Sequence, residues 1–173
     1  IGYRAGSGTT LDTKNVGVGY QSMANLDGSG SLSNVAVGFQ SMLSSAGQEF
    51  SENVAIGAKA MLTSADGTNK NVAVGAEAFS TARGGSVNNV AIGHQALPGT
   101  LSKVSTDNTV VGKGAGNQVD SQNTIIGAYA YQLATGGDDN TIIGVNAGRE
   151  VTASGSFNTF LGHSTGMGAG GGT

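Results

Sequence analysis

Asn53-Val54-Ala55-Ile56-Gly57 is the stretch that decides the fold, because it recurs nine times along the chain. In every copy an Asn stands four residues before a Gly: Asn15 and Gly19, Asn34 and Gly38, Asn53 and Gly57, Asn71 and Gly75, Asn89 and Gly93, Asn108 and Gly112, Asn123 and Gly127, Asn140 and Gly144, Asn158 and Gly162. Ile1-Gly2 closes a tenth copy whose start is missing, which points to a piece of something longer. Successive Asn residues lie 19, 19, 18, 18, 19, 15, 17 and 18 positions apart. A period near 18 with an apolar core in each unit is the signature of a stacked solenoid.

The residues between Asn and Gly predict a short strand, since they are β-branched or small. The residue after Asn is Val in five units and Thr in the last four, at Thr109, Thr124, Thr141 and Thr159. The residue before Gly is always aliphatic. Strand side chains alternate, so these two columns share one face. The column between them points the other way and reads Ala36, Ala55, Ala73, Ala91, Val110, Ile125, Ile142 and Phe160 after an initial Gly17. None of these is polar, and a strand apolar on both faces is normally buried on both. The middle column is therefore expected to meet a partner, most simply other copies of the chain.

A second strand is predicted in the four or five residues after each Gly, as in Phe39-Gln40-Ser41-Met42-Leu43 or Ala58-Lys59-Ala60-Met61-Leu62. These segments are too short to stand as helices. Polar stretches such as Leu26-Asp27-Gly28-Ser29-Gly30, Ala65-Asp66-Gly67-Thr68-Asn69 and Arg83-Gly84-Gly85-Ser86 then return the chain to the next Asn. Such compositions make turns, and their variable length fits loops on the surface of a solenoid.

Something changes at Asn108. The spacing drops to 15, Val gives way to Thr, and the second segment loses its Met or Leu, becoming Lys113-Gly114-Ala115-Gly116. The chain divides accordingly into coils of the N-V-A-V-G type over 1–107, a continuation with T-I-I-G coils and an altered cross-section or packing partner over 108–165, and a Gly-rich exit over 166–173.

Bulk composition excludes several classes. Gly is 31 of 173 residues but has no three-residue period, which rules out collagen. With no Cys there are no disulfides. A net charge of −3 without a basic cluster argues against nucleic acid. No apolar run approaches the ~18 residues of a membrane span, so no membrane insertion is expected in this segment.

The repeated Asn and Gly read as structure: Gly for a corner with positive φ or close approach, Asn for a turn with its amide stacking on the next. His94 and His163 both follow a corner Gly and are weak metal candidates if symmetry brings copies together. Asp27 and Asp66 sit in loops that could hold calcium, although the nine-residue period of calcium β-rolls is absent. Asp138-Asp139 is the one adjacent carboxylate pair to weigh for a polysaccharide-degrading β-helix, and it reads first as a turn. Tyr20, Phe39 and Tyr129 are candidates for sugar stacking, while Tyr131 falls in the Met/Leu column and reads as packing. The short Thr column from Thr109 to Thr159 gives ice binding only slight support. No catalytic residue and no cofactor are nominated.

With these motifs the chain resembles the N-T-A-I-G-Y-Q-A-L-type repeats of viral tail-fibre proteins and large bacterial surface proteins, and more loosely the repeats of trimeric autotransporter adhesin heads. Nine units from Asn15 to Gly162 carry the resemblance. The adhesin repeat has one more residue between Asn and Gly and a more regular period. The resemblance implies three chains wound or packed together as a homotrimer, an extracellular or virion-borne location, and a host-surface glycan or protein as possible partner. The expectation is a left-handed parallel β-roll or β-helix of nine to ten coils. Its role would be a rigid spacer or head of a viral tail fibre, with a bacterial adhesin head or self-assembling extracellular filament as runner-up.

Overall fold

A computed structural model describes residues 1–7, 14–25, 32–44, 50–64, 67–82, 84–99, 104–134, 136–151 and 155–167. The protein is all-β, with parallel strands stacked as a β-solenoid. The three residues after each Asn form the strands β1 (Val16–Val18), β2 (Val35–Val37), β3 (Val54–Ile56), β5 (Val72–Val74), β7 (Val90–Ile92), β8 (Thr109–Val111), β9 (Thr124–Ile126), β10 (Thr141–Ile143) and β11 (Thr159–Leu161). They pair in that order as one nine-stranded sheet. Equivalent positions of successive repeats lie side by side, as in Val54↔Val72, Ala55↔Ala73 and Ile56↔Val74. The sheet crosses the change at Asn108 without a break, since Val90 pairs with Thr109. The 15-residue step that follows keeps Thr109 opposite Thr124. Its shortening is therefore absorbed in the returning segment.

The second strand does not form where it is expected. After each corner Gly the chain turns at once: Ser41 N–H donates to the Gly38 carbonyl at 3.5 Å, Ala60 to Gly57 at 3.3 Å and Ala78 to Gly75 at 3.3 Å. The third residue of each turn has a positive φ, 54° at Gln40, 59° at Lys59 and 57° at Glu77, which is the mark of a type II turn. A second positive φ follows two residues on, at Met42 (50°), Met61 (50°) and Phe79 (47°). These turns still ladder between coils, with Gln40 N–H on the Tyr20 carbonyl and Met42 N–H on the Ala60 carbonyl, both at 2.9 Å. A second, two-stranded parallel sheet begins only beyond them, from β4 (Thr63–Ser64) and β6 (Thr81–Ala82).

The core lies inside the coil, between the long sheet and these turns. The middle strand column and the residue six positions further on fill it together: Ala36 with Met42, Ala55 with Met61, Ala73 with Phe79, Ala91 with Leu97, all buried. From Asn108 the sizes exchange. Val110 stands with Gly116, Ile142 with Gly148 and Phe160 with Gly166. A Cβ on Gly116 would lie 2.9 Å from Val110 Cγ1, and one on Gly166 2.7 Å from Phe160 Cε1. Ile125 and Tyr131 are both large, and they sit between the two coils that carry Gly116 and Gly148. A Cβ on Gly148 would be 3.1 Å from the Tyr131 ring. In the coils of Val110, Ile142 and Phe160 the residue change after Asn108 thus moves bulk from the turn wall of the interior to the strand wall.

Candidate functional site

The two columns that flank each strand's centre decide which surface the protein offers. Alternation puts them on one face, and that face is outside. Val16 is 51% exposed, Ile56 41%, Ile92 40%, Ile126 39% and Leu161 73%. The strip reads Val in the first column for five coils and Thr for four, with Val, Ile or Leu throughout the second. It runs the length of the long sheet.

This corrects the expected interface. Ala36, Ala55, Ala73, Ala91, Val110, Ile125 and Ile142 are each 0% exposed within a single chain, and Phe160 packs partly buried against the same core. They cannot present an outer surface. The reason is volume: the interior must also hold Met42, Met61, Phe79 and Leu97 from the turn wall, so only small residues fit opposite them. The β-branched flanks take the outer face, where the pleat accommodates them.

The Asn column forms a continuous ladder from Asn15 to Asn158. Asn53 Oδ1 accepts both the backbone N–H of Asn71 at 2.9 Å and its Nδ2 at 3.1 Å, while Asn53 Nδ2 donates to Asn34 Oδ1 at 3.1 Å and to the Thr68 carbonyl at 2.8 Å. The pattern repeats at Asn89, Asn108, Asn123 and Asn140. The interior members from Asn34 to Asn140 are at most 1% exposed. Each amide therefore satisfies groups that no water reaches. At the other end of the strand, Gly19, Gly38, Gly57, Gly75, Gly93, Gly112, Gly127, Gly144 and Gly162 hold φ between 122° and 143°. Both columns are built into the backbone and have no capacity left for chemistry.

Among the described residues the remaining candidates are not gathered into a site. His94 and His163 are exposed. Three further column positions, Lys113, Ala128 and Val145, stand between them. Among the described residues no three His, Cys, Asp or Glu side chains come together as a metal group. The calcium candidates Asp27 and Asp66 lie outside the described residues. Asp138 spends its carboxylate on the Ser121 N–H at 2.8 Å, and Asp120 holds the Gly137 N–H at 3.0 Å, so both brace turns. Asp139 is exposed at a positive φ of 58°.

Tyr20 stacks between Tyr3 and Phe39, with ring centroids 5.4 and 5.5 Å away, so both its faces are covered. Tyr129 has the Lys113 ammonium 5.5 Å and the Arg149 guanidinium 5.9 Å from its ring centre. Its hydrogen bond raises Lys113 above the ordinary lysine value. Tyr131 is fully buried and donates its hydroxyl to the Gly136 carbonyl at 2.7 Å.

Sequence reading missed the outward strip because it assigned the faces the wrong way round. The pairing of Ala with Met and of Val, Ile or Phe with Gly was the available signal, since side chains that trade volume must meet. The chain matches none of the protein families, curated proteins or solved structures with which it was compared.

Proposed function

We propose that this chain is a structural fibre segment: a rigid homotrimeric spacer or head of a viral tail fibre used in host attachment, placed on the virion surface or outside the cell. The observation that carries the reading is the exposed aliphatic strip along the long sheet, from Val16 through Ile56, Ile92 and Ile126 to Leu161. A contiguous apolar surface of this kind marks an interaction site. Its regularity favours an equally regular partner, and a second copy of the same rod is the simplest one. Identical rods packed side by side about one axis form a closed assembly. The number three and the fibre setting rest on the resemblance of the repeat to tail-fibre and adhesin sequences. Taken as nine to ten coils at about 4.8 Å each, the rod would be about 45 Å long. Its work is mechanical, and a host-surface glycan or protein would be the partner it helps to reach.

Light scattering on the purified chain tests this directly. Three chains of 17.0 kDa should give about 51 kDa. The combined change Ile56→Glu, Ile92→Glu and Ile126→Glu should reduce that to one chain, because it places three charges in the strip. A wild-type mass of one chain at all concentrations would remove the reading.

A further inference from the structure

We propose that a polar notch beside Gly114 binds one neutral sugar ring, either free or at the end of a glycan. The notch is a cavity of about 300 Å³ lined by Glu77, Ser80, Gln95, Pro98, Gly114, Asn117 and Gln132. That volume lies at the small end of ligand pockets.

Its origin is a single missing side chain. The position two residues after each corner Gly is occupied in turn by Gln21, Gln40, Lys59, Glu77, Gln95, Gly114, Tyr129, Asn146 and Ser164. Only Gly114 leaves a gap in this column. A Cβ there would lie 3.1 Å from Tyr129 Cδ1 and 3.4 Å from Gln132 Nε2, so a side chain at this position would push against the Tyr129 ring and crowd Gln132 on the notch wall. The parallel column three residues on supplies Ser80, Pro98, Asn117 and Gln132 as the opposite wall.

The lining chemistry selects the ligand. Gln95 Nε2 donates to Glu77 Oε2 at 2.8 Å, which fixes the pair and leaves the other carboxylate oxygen and the amide oxygen as acceptors. Asn117 and Gln132 each bring both an amide donor and an acceptor, and Ser80 a hydroxyl. The Gln132 Nε2 amide group faces Gly114, 3.4 Å from where a Cβ on that glycine would stand, so it is the donor end that borders the notch. Paired donors and acceptors around a small cavity match vicinal hydroxyls. The Glu77 carboxylate disfavours an anionic ligand. The notch lies past the corner glycine, off the outer face of the long sheet, so it stands or falls independently of the trimer.

Saturation-transfer NMR provides the test, with free glucose, galactose, mannose and N-acetylglucosamine and their methyl glycosides as probes. At least one of these should receive saturation from the wild-type chain. Free sugars alone responding assigns a free-sugar site, and methyl glycosides responding assigns the end of a glycan. Gly114→Gln should fill the notch and cut the signal at least tenfold. It should fold once the partly exposed Tyr129 ring shifts by a few tenths of an ångström, because Gln40 and Gln95 hold the same backbone conformation, both at φ 54° against 61° at Gly114. Glu77→Gln, isosteric in a column that already carries Gln, should weaken the signal severalfold with unchanged circular dichroism. Silence from every probe overturns the proposal. So does a signal that neither variant alters.

Discussion

Gly75 shows what a missing Cβ contributes in this fold. Its φ is 136°, and a Cβ would stand 2.5 Å from the carbonyl oxygen of Gly93 in the next coil. Backbone strain in this region costs about 1–3 kcal/mol, and forcing apart two laddered coils adds a similar amount. Gly75→Ala should therefore lower unfolding free energy by about 3 kcal/mol or more, read from urea midpoints. A loss under about 1 kcal/mol would mean that the coils separate more easily than the ladder implies.

Tyr131 gives a second test at the same scale. Burial first, then the charges of Asp120 and Asp138, push its hydroxyl up to about 12. The fold thus favours the neutral phenol. That contribution is complete below the unfolded tyrosine value of about 10 and is lost as pH rises towards 12. Between pH 9 and 12 the wild type should lose about 2–3 kcal/mol more than Tyr131→Phe does. Parallel pH profiles for the two proteins would show that the phenol titrates freely. The Asn and Gly columns were legible in the sequence because each uses a residue type with one evident backbone role. The positive φ values at Glu52 (61°) and Lys59 (59°) were not, since neither residue type favours them. The coil imposes them.

At the scale of the element, the strand and its turn act as one packing unit. Val110 and Gly116 occupy the places that Ala55 and Met61 hold three coils earlier. Gly116→Met alone should cost about 1–3 kcal/mol by overpacking against Val110. Val110→Ala alone should cost a comparable amount by leaving a void. Together they recreate the Ala/Met pair, and Met is accepted at this backbone conformation at Met42 and Met61. The double variant should recover at least about 2 kcal/mol of the summed losses in a double-mutant cycle. Additive losses would show that the two walls do not touch. The strand after each Asn was legible because a three-residue run opened by a β-branched Val or Thr and closed by an aliphatic residue before Gly leaves few alternatives. The turn after each Gly was not: Ala58-Lys59-Ala60 and Ala76-Glu77-Ala78 alternate apolar and polar as a strand does, and only the φ values distinguish them. The same ambiguity reversed the faces, because a column of Ala reads equally well as a tight interface or a crowded interior.

For the whole molecule, each coil touches only its neighbours, so stability is a sum over adjacent contacts along one axis. Nothing in such a stack buries the outer strip, whose Ile56, Ile92 and Ile126 each remain about two-fifths exposed. If identical strips cover one another, association and folding are linked, and apparent stability must rise with protein concentration. The thermal midpoint should accordingly climb by several degrees between about 1 μM and 100 μM chain. The Ile56→Glu, Ile92→Glu, Ile126→Glu variant removes the strip but leaves the Asn ladder, the corner glycines and the core intact. Its midpoint should be lower and independent of concentration. A wild-type midpoint that stays fixed over the same range would leave a free-standing rod with a wet aliphatic face. The strip would then have to serve a partner other than the chain itself.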